Sequence, residues 1–170
     1  DFHGGRLSNE AIVAIANAPG SNNIKRLRLN AVLDKGALAA FAAPKNLSRL
    51  SSLTLTNPWV NAAEAAPLLN SPLLAQLSNL DLSGCAIGDE GAKIIAERPL
   101  PRLSSLSLSQ NKITSVGAKA LAQSTNLKGI HTISLELNKI REDGWIALRE
   151  SPYLTEQERE YYSRQANRKP

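Results

Sequence analysis

The sequence is poor in most of what active sites and small stapled folds are made from. Cys85 is the only cysteine in 170 residues, so no internal disulfide can form and the chain is not a disulfide-built secreted scaffold. Two histidines, His3 and His131, and one thiol leave no cluster with metal-ligand spacing. Methionine is absent and aromatics make up only 4 %, so a core must be assembled from Leu, Ile, Val and Ala. No apolar run approaches the roughly 18 residues of a membrane span, and no basic-then-apolar leader is visible, so membrane insertion is not expected. Neither a G-x-x-x-x-G-K-[ST] phosphate loop nor a G-x-S-x-G elbow occurs, and no cofactor is expected. Charge is only moderately biased: 20 basic against 15 acidic side chains give a net +5, and the excess lies in residues 1–140. Such a bias suits an acidic surface but is common in ordinary globular domains.

What is present is a rhythm. Phe2, Leu29, Leu55, Leu82, Leu108 and Leu135 follow one another at intervals of 27, 26, 27, 26 and 27 residues. A fixed period of this size marks a solenoid, in which each unit buries its apolar face against its neighbours. Three units align directly: Leu77 to Ala96, Leu103 to Ala122, and Ile130 to Leu148. Leucines at the fourth and sixth positions share one face of a short strand. The ninth position holds Cys85, Asn111 and Asn138, where the chain turns inward and backbone groups lose water. A buried Asn amide there is expected to satisfy backbone groups of the next coil, with Cys85 as a poorer substitute. The spacing of Ile94/Ile95, Leu121 and Leu148 then predicts helices, with Asp89 and Thr114 placed as N-caps.

Two units are less regular. Gly36 stands seven residues after Leu29, whereas Gly91 stands nine after Leu82, so the first full turn is shortened. In the second unit Pro58 takes the Asn/Cys slot, and Pro67 is expected to break a helix running from Ala62 to about Leu69.

The pattern L-x-x-L-x-L-x-x-N/C-x-L resembles the long, ribonuclease-inhibitor-like class of leucine-rich repeats. Gly117-Ala-Lys-Ala-Leu-Ala122, Gly91-Ala-Lys-Ile-Ile-Ala96 and Gly36-Ala-Leu-Ala39 resemble the bacterial GALA variety. The resemblance covers residues 1 to about 150. It implies a curved α/β solenoid, a right-handed β-α superhelix with a parallel sheet on the concave face and helices on the convex face. It also implies a non-enzymatic protein–protein interaction role, with another protein as partner. Some GALA proteins of plant-associated bacteria are effectors that carry an F-box and resemble substrate receptors of ubiquitin ligases, so the resemblance also implies an alternative role as the substrate-recognition module of a ubiquitin-ligase-type effector; no F-box is visible here. The implied location is the bacterial cytosol, or a host cell for a translocated effector.

The two ends differ. Asp1-Phe2-His3-Gly4-Gly5-Arg6-Leu7 aligns with Asp81 to Ile87, so the chain opens halfway through a strand, and further repeats or another domain are expected before residue 1. A monomer is expected, or association through that open first coil. At the other end, Gln157 to Tyr162 arrives where a strand is due but has the wrong chemistry for one. Thr155-Glu-Gln-Glu158 is a capping-box pattern and predicts a charged helix over about 156–167. The division expected is a solenoid over 1–150 and a capping helix with tail over 151–170, with Trp145 meeting Tyr153, Tyr161 and Tyr162.

Function is then sought on a surface. Exposed strand positions run from basic (Lys25, Arg26, Arg28), through hydroxyls (Thr54, Ser107) and Asp81, to His131 and Glu136. These residues, with Trp59 at the rim, are the candidate partner-binding set. For Trp59 the residues leave two readings open, a rim anchor or a space-filler beside Pro58. Cys85, Asn111 and Asn138 are assigned to structure. Nucleic acid is the disfavoured alternative: Lys25, Arg26, Arg28, Lys45 and Arg49 can meet phosphates, but no aromatics interleave to stack on bases.

Overall fold

A computed structural model describes residues 2–4 (backbone only), 7–30, 33–56 and 61–167. Within them the strands β1 (Phe2–Gly4), β2 (Arg26–Asn30), β3 (Ser52–Thr56), β4 (Asn79–Asp81), β5 (Ser105–Ser107) and β6 (Thr132–Ser134) form one parallel sheet in sequence order. Each strand is followed by a helix: α1 (Asn9–Asn17), α2 (Lys35–Ala42), α3 (Ala62–Leu69), α4 (Gly88–Glu97), α5 (Ser115–Ala122) and α6 (Glu142–Arg149). A last helix, α7 (Glu156–Ala166), lies against α6. The result is the solenoid that the period predicts.

The register shows why the leucines recur. Leu27, Leu53, Leu80, Leu106 and Ile133 stand opposite one another in successive strands. All five are buried. Alternate residues face out, so the sheet has one core face and one open face. The first strand departs from the sequence alignment: Phe2 pairs with Leu27 and Gly4 with Leu29, a shift of two residues.

The helices pack on the other side of the core through small residues. A Cβ on Gly117 would lie 2.7 Å from Asp89 Oδ1 and 2.8 Å from Ile113 Cγ2. A Cβ on Gly144 would lie 2.9 Å from the Ser115 Cα of the preceding helix. Glycine at this slot lets neighbouring coils approach to backbone contact, and Ala92 and Ala118 beside it are fully buried.

Pro67 does not break its helix. α3 runs unbroken from Ala62 to Leu69, starting with a reciprocal capping box between Asn61 and Glu64. Proline removes one N–H near the C-terminal end, and the burial of Ala65, Leu68 and Leu69 holds the remainder.

Candidate functional site

The strand-to-helix turns carry the first set of predicted residues. Asn111 is fully buried. Its Nδ2 donates to the carbonyls of Leu82 (2.8 Å) and Ser109 (3.1 Å), and its Oδ1 accepts from the Ile87 amide (3.3 Å). Asn138 repeats the arrangement one coil later, donating to Leu108 and Leu135 (2.9 Å each) and accepting from Asn111 and Ile113 at 2.9 and 3.0 Å. The direction corrects the expectation: each amide serves its own coil and the preceding one, not the next. Cys85 sits in the same slot, with its thiol directed at the Leu55 carbonyl (3.3 Å). Burial, then the charge of Asp81, pushes this thiol up to about 12, so it is held as an uncharged, non-nucleophilic group.

Asp89 also behaves differently from expectation. α4 begins at Gly88, with Ile87 as its N-cap, so Asp89 lies inside its own helix. Its carboxylate crosses to the next coil, accepting from the Thr114 amide (2.7 Å), the Thr114 hydroxyl (2.7 Å) and the Gly117 amide (2.9 Å). Partial burial opposes its charge, but these three donors outweigh it and hold the carboxyl below its ordinary value. Thr114 caps α5 as predicted.

A second spine runs along the opposite edge, and sequence reading missed it. The buried hydroxyls of Ser71, Ser124 and Ser151 each donate to a carbonyl at the end of the preceding helix: Ala42 (2.7 Å), Ala96 (2.5 Å) and Ala122 (2.5 Å). Each also accepts an amide two residues on. The signal was available: Ser124 and Ser151 stand one period apart, and Ser71 two coils earlier.

On the open face the sheet gathers four of the predicted partner-binding residues into one row. Arg28, Thr54, Asp81 and Ser107 are register partners across β2 to β5. Lys25 and His131 lie in a neighbouring row, at its opposite ends. Backbone bonds from Ser51 to Lys25, Ser78 to Ser51, Ser104 to Ser78 and His131 to Ser104 link that row. Arg26 pairs in register with Ser52. Trp59 lies outside the described residues.

The hydroxyls in the far half are committed to one another. Asp81 accepts from the Ser83 amide (2.9 Å) and hydroxyl (2.6 Å), and Ser83 meets Ser107 at 2.8 Å. Glu136 accepts from Ser109 and from Tyr161 of α7, both at 2.8 Å. Partial burial works against the charge of Glu136, yet these hydroxyls and its own backbone hold its carboxyl below the usual value. Lys25 and Arg28, by contrast, stand exposed in the near half.

The end of the sheet is closed by side chains. Parallel pairing would leave the N–H and C=O of Ile133 facing an absent seventh strand. Glu158 Oε1 accepts the N–H at 3.0 Å and the Tyr162 hydroxyl donates to the C=O at 2.6 Å. Thr155 caps α7 as expected, but the reciprocal half of the capping box is absent, because the Glu158 carboxylate is turned to Ile133. Its Oε2 is buried without a partner. Trp145 stacks on Tyr162 with ring centroids 5.8 Å apart, and Tyr161 meets Tyr162 edge-on at 5.3 Å.

With this geometry in place, the comparison with family models bears on the class. Residues 77–96 and 101–122 match the model of the leucine-rich repeat. The fold is a leucine-rich repeat solenoid, and modules of this kind generally bind proteins and are typically not enzymes. No curated protein matches the chain. No helix among the described residues is long and apolar enough to cross a membrane, and no group of His, Cys, Asp or Glu among them is arranged to hold a metal.

Proposed function

We propose that this chain is a non-enzymatic protein-recognition scaffold, of the ribonuclease-inhibitor-like class and GALA variety, in which the open sheet face receives a partner at its β2–β3 end. The carrying observation is the division of that face. In the far half Asp81, Ser83, Ser107, Ser109 and Glu136 are bonded to other polar side chains, whereas Lys25 and Arg28 stand exposed beside Thr54. Groups already satisfied gain little from a partner, while exposed cations beside a polar row favour an acidic protein surface. Arginine also suits an interface hot spot. The GALA reading is supported by the packing of Gly117 and Gly144, where no side chain fits. The working division is a solenoid over residues 1–150 closed by a cap over 151–170, the whole forming the repeat part of a bacterial effector-type protein.

The test is affinity capture with the intact gene product and with a Lys25→Glu, Arg26→Glu, Arg28→Glu variant. A specific protein retained by the first and lost by the second supports the reading. Equal retention by both sinks it. Captured nucleic acid whose binding falls steeply with salt would favour the phosphate-binding alternative.

A further inference from the structure

The loops that lead from each helix back to the next strand differ from the rest of the molecule in charge. They span residues 18–25, 43–51, 70–78, 98–104 and 123–131. They hold Lys25, Lys45, Arg49, Arg98, Arg102 and Lys128, and not one acidic residue. Among the described residues the acidic side chains lie in the helices, in the strands, along the other edge, and at Glu150, where α6 runs on towards α7. The ion pairs among the described residues, Lys93–Glu90, Lys119–Asp143, Arg149–Glu150 and Arg164–Glu160, all lie in helices or at their ends. None draws on this edge.

The cations recur with the coil. Lys45 and Arg49 precede Leu50 by five residues and by one; Arg98 and Arg102 precede Leu103 in the same way. Coils rise by about 4.8 Å at the sheet, so these matched slots, two coils apart, are separated by roughly 10 Å, about three residues of extended peptide. Arg98 is held in place by donating to the Asn70 carbonyl of the preceding coil. Three open recesses lie between the loops, of about 310, 220 and 370 Å³. Pro72 walls the first and second, and Pro99 the second and third, so they form one continuous corrugation from Lys45 to Lys128.

We propose that this edge is a second docking surface, distinct from the open sheet face, for an extended acidic polypeptide that carries apolar residues between its carboxylates. The carboxylates meet the recurring cations, and the apolar side chains enter the proline-walled recesses. These loops contain no Phe, Tyr or Trp, and His131 at one end is the one ring they offer, so they lack the series of stacking platforms that single-stranded nucleic acid needs. The exposed large apolar side chains among the described residues, Val116 and Leu137, lie elsewhere, so no apolar anchor for a bilayer stands on this edge.

Fluorescence anisotropy with a labelled peptide alternating glutamate and leucine tests the proposal. Oligothymidine and phosphatidylserine-containing vesicles serve as parallel arms. The peptide is expected to bind, and the double variants K45E/R49E and R102E/K128E are each expected to weaken it by about tenfold or more. Arg28→Glu should leave peptide binding unchanged. All substituted side chains are exposed, and matching thermal melts verify that the variants fold. Failure of the peptide to bind, or binding indifferent to the edge variants, overturns the proposal. So does oligothymidine or vesicle binding that is stronger than peptide binding and lost in the same variants. If Arg28→Glu alone abolishes peptide binding, this proposal falls and the open-face reading stands.

Discussion

The coils after Cys85 and those before it share one period but are held by different means. After Cys85, the strand-to-helix turns are closed by the amides of Asn111, fully buried, and Asn138, half-buried, which tie three coils through their backbone. The helices there pack closely at Gly117, against the side chains of Asp89, Ile113 and Ala92, and at Gly144, against the Ser115 backbone. Before Cys85, the ladder ends in a thiol against the Leu55 carbonyl, and a Cβ on Gly36 would meet only Asp34 Oδ1, at 3.2 Å. There the large buried side chains Ile12, Leu38 and Phe41 fill the interior. Polar links persist on the other edge, where Asn46 donates to the Asn17 carbonyl and Gln76 to those of Leu47 and Leu50. A solenoid can therefore keep its rhythm by polar closure or by apolar filling, and the two halves should tolerate substitution differently.

The sharpest way to break this comparison is at the ladder. Asn111→Ala strips the buried Ile87 amide of its partner and takes one of two donors from each of the Leu82 and Ser109 carbonyls, and should cost about 2–3 kcal/mol, read from urea unfolding. Cys85→Ala in the equivalent slot loses only a weak donor and a little volume, about 1 kcal/mol. Equal losses would mean that the amide ladder is not what distinguishes the second half. Next comes Gly117→Ala, which drives a methyl against Asp89 and Ile113 and should cost about 1–3 kcal/mol. Gly36→Ala should shift stability by less than about 1 kcal/mol.

Smaller effects follow from two carboxylates of opposite behaviour. Burial, with the charge of Glu136, holds the Glu158 carboxyl above its ordinary 4.5, outweighing the Ile133 amide and the Tyr162 hydroxyl, which act to lower it. The folded chain then holds this proton to higher pH than the unfolded chain does. Its contribution to stability therefore falls as pH rises from about 4.5 through the raised value. Thermal melts should show that fall, and Glu158→Gln should flatten it; Trp145 fluorescence, next to Tyr162, should report the same change locally. Asp89 has the reverse sign: its carboxyl is lowered from 3.8, so its contribution is present above that value and lost as pH falls through the lowered one. Asp89→Asn should remove that acid-side loss. A pH profile unchanged by either variant would break the assignment. The smallest effect on stability belongs to the open face, where Arg28→Glu should stay within about 0.5 kcal/mol while altering partner binding.

Much of this architecture was legible beforehand. The period located β2 to β6, the buried leucines and the amide slot. The poor strand chemistry of Gln157 to Tyr162 pointed to a helix at that end, and α7 occupies Glu156–Ala166. The candidate residues of the open face were readable as outward positions, because side chains alternate along any strand. What could not be read is whatever depends on the offset between coils. Asp89 looked like a cap for its own helix and caps the next one. Glu158 looked like half of a capping box and completes the hydrogen bonds of β6 instead. The serine spine was missed although its serines recur with the period, because its acceptors lie 28 or 29 residues away in the preceding coil, where local patterns do not reach.

By itself the sequence determined that this chain is a solenoid, which face of each strand is buried, and where cations and hydroxyls recur, since all of these follow from side-chain period along one strand or helix. Only the tertiary structure decided which polar groups are already bonded and which stand open, because that depends on how far one coil slides against the next, and hydrogen bonds are selective over a few tenths of an ångström. Bonded side chains on the far half of the sheet, exposed cations on the near half and a basic edge free of acidic loop residues are properties of stacked coils, and no single repeat contains them.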